Sequence, residues 1–510
     1  MALDTTKNVE PLGATATVES TMPVRRVRDA QKAGLEERFS DSDARTDLTR
    51  VPVIGPPLSR ILKSRKFQFY IILPSQVLFW LVVISGIFGT LEPTQNFATA
   101  ITWYIWFALV FPLTLLVGRA WCATCPFGGV GEWIQRKTFW KRTQKSLGLG
   151  WKLPQSLAGY GLIISAVLFI GMTWMEEFLN IAGPGTPSLT SYMILGIIGS
   201  SVLVSLLFER RTFCRYFCPL SSLIGTAGCT GMVAGFRPRD REMCLNCATK
   251  ECMRGGKDGF GCPWYTYPAT ADTNTYCGLC SECYKACPYE NVGVYVQKPL
   301  TSVVAPKKRP ELAWAVALLF GLVIFQQWNA LVAYSTLDGW LNGMTHFPNY
   351  PNPIDYVLSI GAVVGILAGV AFLISRLISF RTKVARRFTN WFAPLMYGLI
   401  PLMGADYLAR VMPKFFNNAA RFPAAVLGIF GKQAAFADAH ILSDAWVLRA
   451  QYIAVGLGTM AAMYATSKIA GKDLKALTPH PLLAKLIPSL VMLVIGVGMT
   501  ALYVAMKGAE

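Results

Sequence analysis

Residues 67–90 read FQFYIILPSQVLFWLVVISGIFGT, a stretch without a single charged side chain. A helix rises about 1.5 Å per residue, so this run is long enough to cross the roughly 30 Å hydrocarbon core of a bilayer. Further apolar runs of similar length recur at about 99–118, 157–175, 189–208, 312–334, 354–378, 391–409, 446–467 and 485–506. The pattern predicts an all-α polytopic membrane protein with about nine transmembrane helices. Composition agrees, with 53% apolar and 15% charged residues. Such a chain is neither disordered nor a conventional water-soluble enzyme.

Charge then orients the spans. Lys and Arg number 48 against 29 Asp and Glu, a net of +19. In an apolar chain this excess marks loops on the cytoplasmic side rather than a nucleic-acid surface, so no nucleic-acid partner is expected. Arg60, Lys63, Arg65 and Lys66 precede the first span, and Arg136, Lys137, Lys141 and Arg142 follow the second. Both flanks are expected in the cytoplasm. The loops around Glu92 and around Glu176 and Glu177 carry no Lys or Arg and belong outside. Four regions follow: a flexible cytoplasmic arm, 1–66, with a short helix near 29–39; a four-helix membrane unit, 67–211; a cytoplasmic Cys-rich domain, 212–305; and a membrane domain of about five helices, 306–510. The stretch Phe422–Phe436 reads as an interfacial or re-entrant segment.

Two passages share a frame. Arg119-Ala-Trp-Cys122-Ala-Thr-Cys125-Pro126-Phe127 follows the second span, and Arg211-Thr-Phe-Cys214-Arg-Tyr-Phe-Cys218-Pro219-Leu220 follows the fourth. Each runs Arg, any residue, aromatic, Cys, two or three residues, Cys, Pro, apolar. A duplicated helical hairpin with a Cys pair at its exit is expected, bringing four metal-binding thiolates together on one membrane face. They are candidates for a further metal or cluster, including a soft metal such as Cu(I).

Most of the 13 cysteines lie between Cys214 and Cys287. Cys277-x-x-Cys280-x-x-Cys283-x-x-x-Cys287-Pro288 has bacterial ferredoxin spacing, in which three thiolates hold one [4Fe-4S] cluster and the fourth serves the other. Cys244-x-x-Cys247, Cys252 and Cys262-Pro263 form a second, stretched copy. The swap pairs Cys244, Cys247 and Cys252 with Cys287, and Cys277, Cys280 and Cys283 with Cys262, for two [4Fe-4S] clusters. Structural zinc fits less well, because it has no use for a third closely spaced Cys or for two Cys-Pro endings. Cys229 is left over as a small buried residue. The only histidines are His346, His440 and His480, none central to a span, so a transmembrane haem held by two histidines is not expected. Gln326, Gln327, Asn329, Asp406 and Arg410 are polar positions within or at the ends of spans, where a quinone or proton site is one reading and a local ion pair the other.

These motifs resemble the membrane polyferredoxins of the nitrous-oxide-reductase regulator and nitrate-reductase quinol-dehydrogenase type (NosR/NapH-like). The resemblance covers about 67–300. It implies a multi-pass protein of the bacterial cytoplasmic (inner) membrane, with both clusters on the cytoplasmic side. It also implies electron transfer between a quinol or cytoplasmic donor and membrane or periplasmic redox partner proteins, so quinone and membrane lipid are expected partners. Cys214, Cys218 and Pro219 match the family's Cys-x-x-x-Cys-Pro. Cys122 and Cys125 stand one residue closer than that pattern.

Overall fold

The computed structural model describes residues 45–140, 147–183, 185–347, 351–432 and 439–507. The helix expected near 29–39 lies outside them. Among the described residues, nine helical segments are long and apolar enough to cross a membrane. In chain order the helices are α1 (Gly55–Lys63), α2 (Phe67–Phe88), α3 (Phe107–Val117), α4 (Pro126–Arg136), α5 (Gly161–Phe178), α6 (Pro187–Leu207) and α7 (Leu220–Gly228). There follow α8 (Pro310–Trp328), α9 (Val332–Thr345), α10 (Pro353–Ile378), α11 (Thr389–Asn418), α12 (Phe422–Ile429), α13 (Asp444–Ile469) and α14 (Pro481–Lys507). Shorter helical turns connect them.

Burial identifies the axis of the bundle. Of an apolar 18-residue stretch within the segment beginning at Thr389, 83% is buried, against only 22% of the corresponding stretch in Pro353–Ile378. An apolar helix buried all round is a central one, and helices with an exposed apolar face lie at the perimeter. α11 accordingly packs against α13, α8 and α3. Small residues permit close approach elsewhere. A Cβ on Gly86 of α2 would stand 2.9 Å from the Pro187 carbonyl oxygen at the start of α6.

The observed elements differ from the sequence reading in two places, the end of the fifth span and residues 220–228. The fifth span ends at Trp328 rather than running to 334, because Gln326, Gln327 and Asn329 form a polar end; the Asn329 side chain donates to Glu177 at 3.3 Å. The short helix α12 rises only about 12 Å, too little to cross, and packs beside Phe97. Helix α7, assigned by sequence to the Cys-rich domain, is buried along its whole length and joins the same apolar core as α8 and α11. Its nine residues are too short to register as a span.

The described part of the expected arm, residues 45–66, forms regular elements. Strand β1 (Thr46–Asp47) pairs antiparallel with β3 (Val292–Val296), which pairs with β2 (Val233–Pro238), giving the order β1-β3-β2. This sheet lies in an otherwise helical molecule. It forms because the β-rich Val292–Val296 finds partners far away in sequence. Arg239 locks β1 down through Asp47 at 3.0 Å. Helix α1 then lies against the Cys-rich module: Ser59 and Tyr284 hydroxyls meet at 2.6 Å, and Leu62 shares an apolar cluster with Cys252 and Cys283.

Replacing Gly86 by Leu should force α2 and α6 apart. The overpacking cost is about 1–3 kcal/mol, and thermal unfolding in detergent should show a lowered midpoint. An unchanged midpoint would show that this contact is not close.

Candidate metal centres

Four cysteines directly precede a proline, and three of them, Cys125, Cys218 and Cys287, adopt the same backbone conformation. Cys125 has φ −64° and ψ 124°, Cys218 −72° and 117°, and Cys287 −76° and 111°. The following proline ring excludes the helical region for these residues. Each therefore ends one turn of helix, and at Cys125 and Cys218 a new helix, α4 or α7, begins at once. The two hairpin copies share this architecture. Their one-residue difference in Cys spacing is absorbed locally: Phe213–Phe217 forms a π-helical turn, and the Cys218 N–H bonds the Phe213 carbonyl at 2.8 Å. A π turn accommodates one extra residue without displacing the chain on either side.

The copies converge. Cys218 lies close enough to Cys214, Cys125 and Cys122 for burial, followed by those three thiols, to push its pKa well above the usual value. The arginines of the repeat have equivalent roles that sequence reading did not assign. Arg119 donates from Nε to the Cys122 sulfur at 3.3 Å, and Arg211 donates from Nη1 to the Cys214 sulfur at 3.7 Å. Both guanidinium groups are buried. Arg119 also lies over the Trp264 ring, 4.3 Å from its centroid. The recurrence of Arg three residues before each first Cys was the available signal.

Glu132 of α4 anchors the second arginine. Its carboxylate accepts from Arg211 Nε at 2.7 Å and Arg210 Nη2 at 2.8 Å, and it also pairs with Arg136. Burial opposes charge on Arg211, yet Glu132 and then Cys214 hold its pKa well above the ordinary value. Arg210 extends the network by donating to the Phe260 carbonyl at 2.6 Å. The Phe260 N–H in turn donates to Glu282 at 2.8 Å, which forms a buried pair with Lys285. Hairpin and Cys-rich module are thus tied through buried charge.

Within the module the other eight thiols form two sets. Cys244, Cys247, Cys252 and Cys287 line one small pocket. Burial and then Cys244, Cys287 and Cys247 raise Cys252 to about 12. Cys283 is raised well above the ordinary value by burial and then by Cys262, Cys277 and Cys280, and Cys262 is pushed up to about 11 by burial and then Cys277. The two sets also lie near each other: Cys252 is influenced by Cys262, and Cys283 by Cys252. Tight turns place these sulfurs: Leu279 and Ser281, on either side of Cys280, have φ of 51° and 62°, left-handed conformations that cost such residues about 1–3 kcal/mol each. Cys262 also packs in one apolar cluster with Cys122, Cys214 and Cys218, so the second set adjoins the hairpin set.

The surroundings suit an anionic, thiolate-bound cluster. Asn291 donates to the Cys244 sulfur at 3.3 Å, and the Lys250 N–H donates to Cys247 at 3.4 Å. Arg237 is buried beside Cys277 and Cys283, and its Nε has no hydrogen-bond partner. Thiols crowded and buried in this way resist ionisation, and a cationic metal core relieves both penalties. Among the described residues, no three His, Cys, Asp or Glu side chains converge on the position of one metal ion. A cubane instead assigns each thiolate to a different iron. Cys229 belongs to none of these sets; its sulfur lies 2.7 Å from the Thr275 hydroxyl, beside the helix α7 it follows.

The family model described as a 4Fe-4S binding domain matches residues 99–145 and 190–228, the two hairpin copies with their Cys-Pro motifs. Comparison with curated proteins and with solved structures found no match. The family match supports an iron–sulfur protein with at least one cluster. It falls on the hairpin cysteines rather than on the ferredoxin-spaced ones.

Two outcomes follow. Glu132→Gln should leave Arg136, Arg210 and Arg211 without their buried counter-charge. A loss of about 3–5 kcal/mol is expected, seen as a lowered unfolding midpoint; an exposed network would give no change. Cys287→Ala should lower bound iron by about four atoms per chain and leave the set completed by Cys262 intact. Loss of all module iron, or of none, in that variant would contradict the grouping.

Proposed function

We propose that this chain is a membrane-bound iron–sulfur electron-transfer protein of the NosR/NapH-like type. Cys244, Cys247, Cys252 and Cys287 hold one [4Fe-4S] cluster, and Cys277, Cys280, Cys283 and Cys262 hold the other. Cys122, Cys125, Cys214 and Cys218 hold a third metal centre at the bundle end. When bound, a [4Fe-4S] cluster takes up and releases one electron at a time. The residues of this chain hold the sulfurs in place, exclude water and offset negative charge with Arg119, Arg211 and Arg237.

The observation that carries this reading is the grouping of twelve thiols into three sets, the last two of which share Cys262's apolar surroundings. Centres placed in sequence suit transfer along a route. The donor is a quinol or a cytoplasmic carrier, and a quinol supplies two electrons and releases two protons on oxidation. The acceptor is a membrane or periplasmic redox protein, and the location is the bacterial inner membrane with the clusters on the cytoplasmic side. In this role the protein acts as a quinol-dehydrogenase-like component. Copper handling by the hairpin thiolates is the less supported alternative, because the 4Fe-4S family match falls on that set.

Anaerobically purified protein should contain about eight irons and eight sulfides in the module, with more iron if the hairpin set also carries a cluster. Dithionite reduction should give cubane-type paramagnetic signals. Zinc in place of iron would overturn the reading, and copper lost only from a variant lacking Cys122, Cys125, Cys214 and Cys218 would favour the alternative.

A further inference from the structure

Two cavities lie side by side in the bundle. The first, of about 110 Å³, has walls that include Phe79, Trp103, Trp106, Trp121 and Phe127. The second, of about 50 Å³, is lined by Gln326, Tyr407, Arg410 and Lys414, together with the carboxylate-bearing Glu176. They share Trp103, Phe107 and Met172 in their walls.

Three buried hydrogen-bond donors on these walls have no partner: Trp106 Nε1, the Tyr407 hydroxyl and Arg410 Nη1. The Tyr407 side chain is 7% exposed. Buried donors of this kind are costly unless an acceptor reaches them. The tyrosine ring stacks on Phe111 with centroids 4.0 Å apart, beside Phe107 at 6.2 Å. An occupant with acceptor oxygens would satisfy these donors, and the aromatic and apolar walls suit a flat ring with an apolar body.

We infer that the paired cavities bind an isoprenoid quinone or quinol, with ring oxygens toward Tyr407 and Arg410 and the apolar body along the Trp103–Trp106 wall. This rests on the quinol-donor reading above and gives it a place. Trp121, Pro126 and Phe127 flank Cys122 and Cys125 in sequence and line the first cavity, so the occupant lies beside the hairpin thiols. The polar end comes from α11, beyond the 67–300 stretch that resembles the polyferredoxins.

The probe is decylubiquinone, titrated onto the purified cluster-containing protein. Arg410→Gln combined with Tyr407→Phe should weaken binding tenfold or more, and Met172→Trp, which fills the shared wall, should abolish it. Iron content and dithionite-reduced spectra should stay unchanged in all variants and serve as the folding control. Equal affinity in wild type and variants, absence of binding to wild type, or a co-purifying phospholipid that decylubiquinone cannot displace would overturn the site. Residue-sensitive binding without cluster reduction by decylubiquinol would instead leave the site standing and remove the quinol as donor. Reduction of the clusters at the same rate in every variant would keep the donor and refute the site.

Discussion

A carboxylate buried among three guanidinium groups is the interaction on which this arrangement depends. Glu132 receives Arg136, Arg210 and Arg211, and buried charges persist only when paired and hydrogen-bonded. The pairing fixes α4, the first helix after a Cys-Pro step, against the turn that presents Cys214. Through Phe260 and Glu282 it also reaches the Cys-rich module. One buried charge cluster thus sets the relation between two sets of thiols.

Around that anchor, the same local chemistry is reused. Proline after Cys125, Cys218 and Cys287 holds each of those cysteines extended, so the chain leaves the sulfur and starts in a new direction. Arginine ahead of Cys122 and of Cys214 supplies charge beside the first sulfur of each hairpin pair. The π turn at Phe213–Phe217 shows how two copies can differ by one residue and still bring their cysteines to one place. Duplication with local adjustment is a simpler way to assemble four thiols than four independent loops.

Much of this was legible in the sequence, for identifiable reasons. The apolar runs are long and uninterrupted, so their existence survives errors of a few residues at their ends. The ferredoxin spacing is a local pattern, so the eight cysteines of the module can be picked out by eye. Features set by distant partners were not legible. Glu132 is 78 residues from Arg210, and nothing in its own neighbourhood announces the pairing. Strand β1 looked like the end of a polar arm because its partner, β3, lies far along the chain. Helix α7 falls within the Cys-rich domain in the sequence reading because a buried helix of nine residues is apolar without being long. The roles of Arg119 and Arg211 stood in the repeated frame but became visible only when each guanidinium was seen to meet a sulfur.

The central claim is that crowded thiolates here hold cubane iron–sulfur clusters. The most direct measurement is a Mössbauer spectrum of protein grown on ⁵⁷Fe and purified without oxygen. The account predicts the quadrupole doublets of delocalised mixed-valence iron pairs, integrating to about eight cubane irons per chain in the ferredoxin-like module alone. A spectrum of isolated tetrahedral Fe–thiolate sites, or iron far below that amount in protein that retains its fold, would contradict it.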